Sequence, residues 1–341
     1  MKKPTLYDVA RLSGLSLGTV SGYINGKRVS EKNSAKIKDA IDVLKYMPQS
    51  AARSLASGKS YFILLFVMVE SPIVSSTWMQ ELPIVQGISD FLNGSGYSLG
   101  IEIADVSKTN ENNLALERIV LNRNADGVIL ISPWKLNDSV LTILKYHKFP
   151  YILIGGGDYS ENVVDFDNKT SIYDLVCCQY DKGHRKIAFI GGFENQDYVR
   201  QRKNGFCAAH QALGLPDPKQ YIKYGDYSLE SGYAYTMELL EMDESPTMIV
   251  CCNDYIAAGA IKAIVSMGLR IPQDIAVSGF DDTTIATIMT PTITSIQVPS
   301  YDIGKTAIQE LLRKVEDSSY EVQNTYINCK IVYRESTGTS K

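Results

Sequence analysis

Thr5-Leu6-Tyr7-Asp8-Val9-Ala10-Arg11-Leu12-Ser13-Gly14-Leu15-Ser16-Leu17-Gly18-Thr19-Val20-Ser21-Gly22-Tyr23-Ile24-Asn25 reads as two short helices about a glycine. Leu6, Val9, Ala10 and Leu12 recur at helical spacing, and Thr5 with Asp8 makes a short capping-box analogue. Gly14 falls at the turn. Ser16 can cap a second helix that runs to about Asn25 with Val20 and Ile24 inward, and Gly26 stops it. Ser30 can cap a third helix with Ala35, Ile37, Ile41 and Leu44 as its apolar stripe. Met47-Pro48 ends it, because a residue before proline is pushed out of α geometry. Helix, glycine turn, helix is the helix-turn-helix spacing, and small Ala10 lets the two helices approach closely. The second helix of such a unit enters the major groove of duplex DNA. Its outward positions here would be Leu17, Gly18, Ser21, Gly22 and Tyr23. A three-helix bundle built for protein contacts has the same spacing, so charge has to discriminate.

Residues 1–60 hold 11 Lys and Arg against 4 Asp and Glu, a balance of +7. The other 281 residues hold 23 against 34, a balance of −11, so the overall −4 hides a basic head on an acidic body. Such a head suits a polyanion. At 341 residues, 45% hydrophobic and 21% charged, the chain is an ordinary globular protein of two or three domains. Its longest apolar run, Tyr61 to Val69, is too short to span a membrane. Asp8 and Arg11 interrupt any signal-peptide core, and six cysteines without a C-x-x-C suit free thiols, so the expected location is cytoplasmic.

From Tyr61 onward, short β-rich apolar runs alternate with amphipathic stretches. Strands are predicted at 61–69, 98–103, 127–132, 151–155, 163–166, 187–191, 221–224, 248–252, 275–279 and 294–298. Helices are predicted at 80–93, 110–124, 137–147, 169–183, 198–213, 229–242, 254–267 and 302–316, and Tyr320 to Tyr333 reads as extended. The alternation implies parallel sheets covered on both faces. Ten strands exceed one tidy sheet, so two Rossmann-like halves are expected, with a break near Gly155-Gly156-Gly157-Asp158.

Thr5 to Ala10, Gly14-Leu15-Ser16, Thr19-Val20-Ser21, Asn25 and Ala51-Ala52-Arg53-Ser54-Leu55-Ala56 resemble the DNA-binding head of the lactose/galactose repressor (LacI/GalR) family, and the similarity continues along the whole chain. The resemblance implies an all-α helix-turn-helix head at 1–48, a hinge at 49–60 and an α/β body at 61–341. The body would be two Rossmann-like subdomains of periplasmic-binding-protein type, between which the chain crosses three times. One would take about 61–160 plus 293–322, the other about 161–292 plus 323–341. It further implies a dimeric regulator on double-stranded operator DNA. Thr5, Tyr7, Ser16, Leu17, Gly18 and Thr19 would contact DNA, with Ser21, Gly22, Tyr23 and Asn25 further along the helix. Residues 49–59 are good helix formers but too few to hold a helix alone. In the family's manner, Leu55 of each subunit would wedge into the minor groove and Arg53 would meet phosphate.

One departure matters. The family usually has an arginine after T-V-S, where this chain has Gly22. Arginine there grips a guanine edge in a fork worth about 1–3 kcal/mol. Glycine removes that contact and weakens the helix by about 1 kcal/mol. Leu17 and Gly18 add no polar donors, so the usual family operator is not expected to be the best site. Leu17 can touch a thymine methyl and Tyr23 can bond a base or phosphate.

Enzyme signals are weak. Gly155 to Gly157 opens no helix, there is no P-loop, G-x-S-x-G or H-E-x-x-H, and His147, His184 and His210 lack metal spacing. No catalytic residue, metal or cofactor is expected. Ligands of open α/β proteins bind at the carboxyl ends of strands. Asp167, Asn253-Asp254 and Asp281-Asp282 stand there, with Arg202 in Arg202-Lys203-Asn204-Gly205-Phe206 and Tyr227 after Gly225-Asp226. Acids and a guanidinium bind paired hydroxyls, and an aromatic face covers the C–H side of a sugar. Trp78 and Trp134 are further candidates. The resemblance puts Asp167, Arg202, Asn253 and Asp281 in the effector pocket, although any of the acids could instead cap the following helix. The chain thus reads as a cytoplasmic DNA-binding repressor, released by a carbohydrate-like effector bound between two lobes. A solute receptor or a sugar-modifying enzyme on the same fold fits less well.

Overall fold

The structure is a computed structural model, and it describes residues 4–24, 27–46, 57–69, 78–105, 108–132, 134–136, 138–155 and 161–338. Asn25, Arg53 and Leu55, and with them most of the expected hinge, lie outside the described residues. Two compact units emerge. One runs to Tyr61 and takes in Arg123–Asp126; the other is Phe62–Asn122 and everything from Gly127 onward.

The first unit is the three-helix head: α1 (Leu6–Ser13), α2 (Leu17–Ile24) and α3 (Glu31–Leu44). Asp8 Oδ2 reaches back to accept the Thr5 backbone N–H at 2.9 Å. Gly14 turns the chain with φ +66°, a conformation that costs glycine little. Ser16 Oγ accepts Thr19 N–H at 3.1 Å to open α2, and Ser30 Oγ accepts Asn33 N–H to open α3. Val9, Ala10, Val20, Ile37, Ala40 and Tyr46 form the core. Leu12 and Ala35 stay at the surface, because so small a bundle has no second layer to cover them.

The second unit contains both sheets of the body. The first sheet has the order β2-β1-β3-β4, from β1 (Phe62–Val69), β2 (Ser98–Asp105), β3 (Gly127–Ile131) and β4 (Tyr151–Ile154), all parallel. The helices between them are α4 (Trp78–Leu92), α5 (Thr109–Leu121) and α6 (Asp138–Tyr146). The second sheet runs β12-β10-β9-β8-β6-β7. Its parallel members are β6 (Ile187–Gly191), β7 (Ile222–Tyr224), β8 (Met248–Cys251), β9 (Ala276–Asp281) and β10 (Thr294–Gln297). Antiparallel β12 (Lys330–Val332) closes one edge. Strands β6 and β8 are buried along their whole length, as in sheets covered on both faces. The covering helices come as the packed pairs α7 (Asn168–Asp181) with α8 (Asp197–Ala212) and α9 (Leu229–Leu240) with α10 (Asp254–Ser266).

A two-stranded ribbon of β5 (Val164–Phe166) and β11 (Thr325–Ile327) lies where the chain passes between the lobes. Residues 293–297 were expected in the first lobe, but β10 hydrogen-bonds to β9 in the second sheet. The tail's return to the first lobe begins instead at α12 (Ser300–Glu316), which packs on α4, β3 and β4. A Cβ on Gly87 of α4 would sit 2.1 Å from Tyr301 O, and one on Gly304 of α12 would sit 2.1 Å from Ile84 O. Only glycines let these two helix backbones approach so closely. A further short helix, α11 (Thr284–Ile288), follows β9; five residues give too little periodicity for the sequence to announce it.

Candidate functional site

In the second lobe, Arg202 is turned inward from α8 and is 4% exposed. Its Nε donates to Asn168 Oδ1 at 2.8 Å, and its Nη1 donates to the Cys252 carbonyl at 2.5 Å. Nη2 lies 3.7 Å from Asp281 Oδ1. The guanidinium carbon stands 3.6 Å from the Phe280 ring centre, with Tyr198 and Phe166 further round it. Burial works against the charge on Arg202, but Cys252 and then Asp281 outweigh it and hold the pKa above the ordinary arginine range.

Each partner is delivered by a strand end or a helix start. Asn168 opens α7; its Oδ1 is taken by Arg202, and its Nδ2 is buried without a partner. Cys252 follows β8, and burial pushes its thiol pKa up. Asn253 caps α10, accepting Ile256 N–H at 2.8 Å, and its Nδ2 donates to the Tyr227 carbonyl at 3.3 Å. The Tyr227 hydroxyl donates to buried Gln196 Oε1, and its ring lies where a Cβ on Gly192 would otherwise stand.

Asp281 ends β9 with φ +94°, and Asp282 (φ +53°) and Tyr227 (φ +67°) are left-handed as well. Strained non-glycine backbone of this kind persists only where its surroundings fix it, and it gathers at functional sites. Here the surroundings are visible. Asp282 pairs with Arg334 at 2.6 Å, and its N–H donates to Ser295 Oγ. Asp254 accepts Ser295 Oγ–H at 2.6 Å on Oδ1, and both the N–H and the hydroxyl of Thr283 on Oδ2. Burial and then the charge of Asp281 push the Asp254 carboxyl up to about 7.

A second buried acid, Asp165 of β5, is pushed by burial up to about 7. It accepts the Tyr198 hydroxyl at 3.3 Å. That hydroxyl also lies where a Cβ on Gly155, at the end of the first lobe's β4, would stand. Tyr198 therefore touches both lobes.

Among the residues expected in the pocket, Arg202 and Asp281 meet directly, and Asn253 and Tyr227 join them through Cys252 and the β8 turn. Asp167 does not join their hydrogen bonds. Its carboxylate caps α7 through Thr170 N–H at 2.8 Å, because the first free amides of that helix are its nearest donors. Trp134 is half-buried beyond β3, and its N–H donates to Ser132 Oγ. Trp78 begins α4, and its side chain lies outside the described residues. Asn168, Cys252, Phe280, Gln196 and the Asp165–Tyr198 pair were not anticipated. The only signal for Asn168 was that it directly follows Asp167. Among the described residues, no three His, Cys, Asp or Glu side chains gather to hold a metal ion.

On the head, Tyr7 and Gly18 are exposed, while Thr5, Thr19, Ser21 and Gly22 are half-buried. Ser16 is exposed, but its hydroxyl bonds Thr19 Oγ1 at 2.8 Å as well as capping α2. Leu17 and Tyr23, expected to point outward, pack partly against the head core, as Ile24 of the same helix does.

A basic three-helix head and a two-lobed body with a buried guanidinium held by Asn168 and Cys252 define a DNA-binding regulator with a ligand-sensing body. A family model for bacterial regulatory proteins of the lacI family matches residues 5–49, and one for a periplasmic binding protein-like domain matches 179–337. Catabolite control protein A of Priestia megaterium is 31% identical over 98% of this chain and 99% of its own length. The ribose operon repressor of Escherichia coli strain K12 is 31% identical over 97% and 99%. Among solved structures, the lac repressor dimer bound to operator and the anti-inducer ONPF superposes with a TM-score of 0.81 at 26% identity, covering 98% of this chain and 99% of that one. A complex of the transcriptional regulator CelR with cellobiose gives 0.72 at 26% identity, covering 98% and 99%.

The chain belongs to the LacI family, and it is a transcriptional regulator rather than an enzyme. Among the described residues, no helix is long and apolar enough to cross a membrane.

Proposed function

We propose that the protein is a cytoplasmic repressor that binds a pseudo-palindromic operator as a homodimer and is released by a polyhydroxylated effector, a sugar or sugar derivative, held at Arg202. The observation that carries the ligand class is the buried guanidinium itself. Arg202 and the partnerless Asn168 Nδ2 supply donors, and Asp281, 3.7 Å away, supplies acceptors. That mixed set matches adjacent hydroxyls, each of which donates and accepts. Relatives named for ribose and solved with cellobiose support the same class. The lobe contact through Tyr198 supports a coupling in which the effector favours one closure of the lobes and DNA affinity follows by differential binding to two states.

A thermal-shift screen of the full-length protein against ribose, cellobiose, sugar phosphates and free nucleobases tests this. The expected result is a saturable rise in Tm with one sugar class, lost in Arg202→Lys. A rise with free nucleobases alone would overturn the ligand class. An unchanged response in Arg202→Lys would overturn the site. Adding the active compound to a DNA-shift assay then gives the sign, release for an inducer or tightening for a co-repressor.

A further inference from the structure

Gly22 on α2 is not demanded by the fold of the head. A Cβ built there would meet only the stem of Lys27, 3.6 Å from its Cδ and 3.7 Å from its Cβ, which is ordinary van der Waals contact. Gly18, one turn earlier on the same helix, would meet only Ser16 Oγ at 3.9 Å. Glycine weakens a helix interior, and neither position repays that loss inside the protein. What lies on the bare backbone at Gly22 is Lys27, whose N–H donates to Gly22 O at 2.8 Å and whose side chain is otherwise exposed.

We propose that Lys27, its stem laid across Gly22, is the residue that reads a guanine in each half of the operator. The inference rests on α2 being the helix that enters the major groove. Leu17 and Gly18 bring no hydrogen-bond donor to that face, and of the two exposed cations that follow the helix, Lys27 and Arg28, Lys27 is the one whose stem lies against α2 at Gly22. Guanine offers two adjacent acceptors there, N7 and O6. Adenine sets a donor beside its acceptor, and thymine sets a methyl beside its own. A compact ammonium with three donors therefore favours guanine. With no side chain on Gly22, nothing of α2 at that position competes with Lys27 for the base edge.

The test is a selection from random duplexes with full-length wild type, followed by anisotropy titrations on the selected duplex and its single-base variants at several salt concentrations. Wild type, Lys27→Ala and Lys27→Arg are compared. Wild type should require G·C at one position per half-site, and Lys27→Ala should lose about 5- to 150-fold of preference at that position only, the size of one good base contact. Lys27→Arg should keep the guanine. The assignment is overturned if Lys27→Ala weakens all duplexes alike and lowers the salt slope by about one, the mark of a phosphate contact. It is equally overturned if Lys27→Ala changes nothing. A wild type that selects no duplex would instead overturn the DNA-binding reading on which the assignment rests. Lys27 is exposed, so an unchanged Tm in Lys27→Ala separates these outcomes from misfolding.

Discussion

The head and the second lobe put charge to opposite uses. In the head, Lys27 and Arg28 are exposed, and the core of Val9, Ala10, Val20, Ile37, Ala40 and Tyr46 holds no ionisable group but a tyrosine. In the lobe, Arg202 and Asp254 are buried among strand ends, and Asp281 is nearly so. Surface charges contribute about 0–1 kcal/mol to stability and are screened by salt, so the head can change its cations for the sake of binding alone. A buried charge cannot be removed alone without a cost of about 3–5 kcal/mol. The head is therefore the part of the molecule that single substitutions can retune. The lobe can change its ligand only through several linked substitutions.

Arg202→Ala presses hardest on this contrast. It leaves Asp281 buried without its cation, and a loss of about 3–5 kcal/mol by denaturant unfolding is expected, together with loss of effector response. A loss below about 1 kcal/mol would place Arg202 in the same class as the head's surface charges. Next comes Gly205→Ala, whose Cβ would sit 2.1 Å from the Lys169 carbonyl. Pushing α8 off α7 should cost about 1–3 kcal/mol. It should also weaken ligand binding, since Arg202 and Asn168 stand on those two helices.

Asp254→Asn sharpens the comparison through pH. The Asp254 carboxyl is raised from 3.8 to about 7, so between those values the folded state keeps a proton that the unfolded chain releases. Its contribution to stability is complete below about pH 4 and is lost as pH rises towards 7. The neutral variant lacks that loss, so the Tm difference between the two proteins should move in the variant's favour across this window. A difference independent of pH would show that Asp254 is ionised throughout. The smallest effect is expected from Ser30→Ala, which removes the cap of α3 and should cost the head about 1 kcal/mol without altering effector binding.

How much of this was legible in the sequence follows from the same contrast. The head is built from local signals, and Gly14, Ser16 and Ser30 sit at the turns and caps their residue types predicted. The strands of the body also lay close to their apolar runs, because a fully buried parallel strand has to be apolar throughout. β10 went to the wrong lobe because an apolar run carries no record of which sheet it joins. The R-x-x-G-F stretch marked Arg202, but its partners come from Asn168, Cys252 and Asp281, far apart in the chain. Asp167 and Asn168 are neighbours; one spends its side chain on a helix cap and the other on Arg202, and only the folded geometry distinguishes them.

The most direct measurement is fluorescence anisotropy of the full-length protein on the duplex it selects, titrated with the compound that raises its Tm. DNA affinity should change by about 5- to 150-fold in wild type and stay constant in Arg202→Lys. Wild-type affinity that is indifferent to a compound bound at Arg202 would contradict the coupling of sensor to reader.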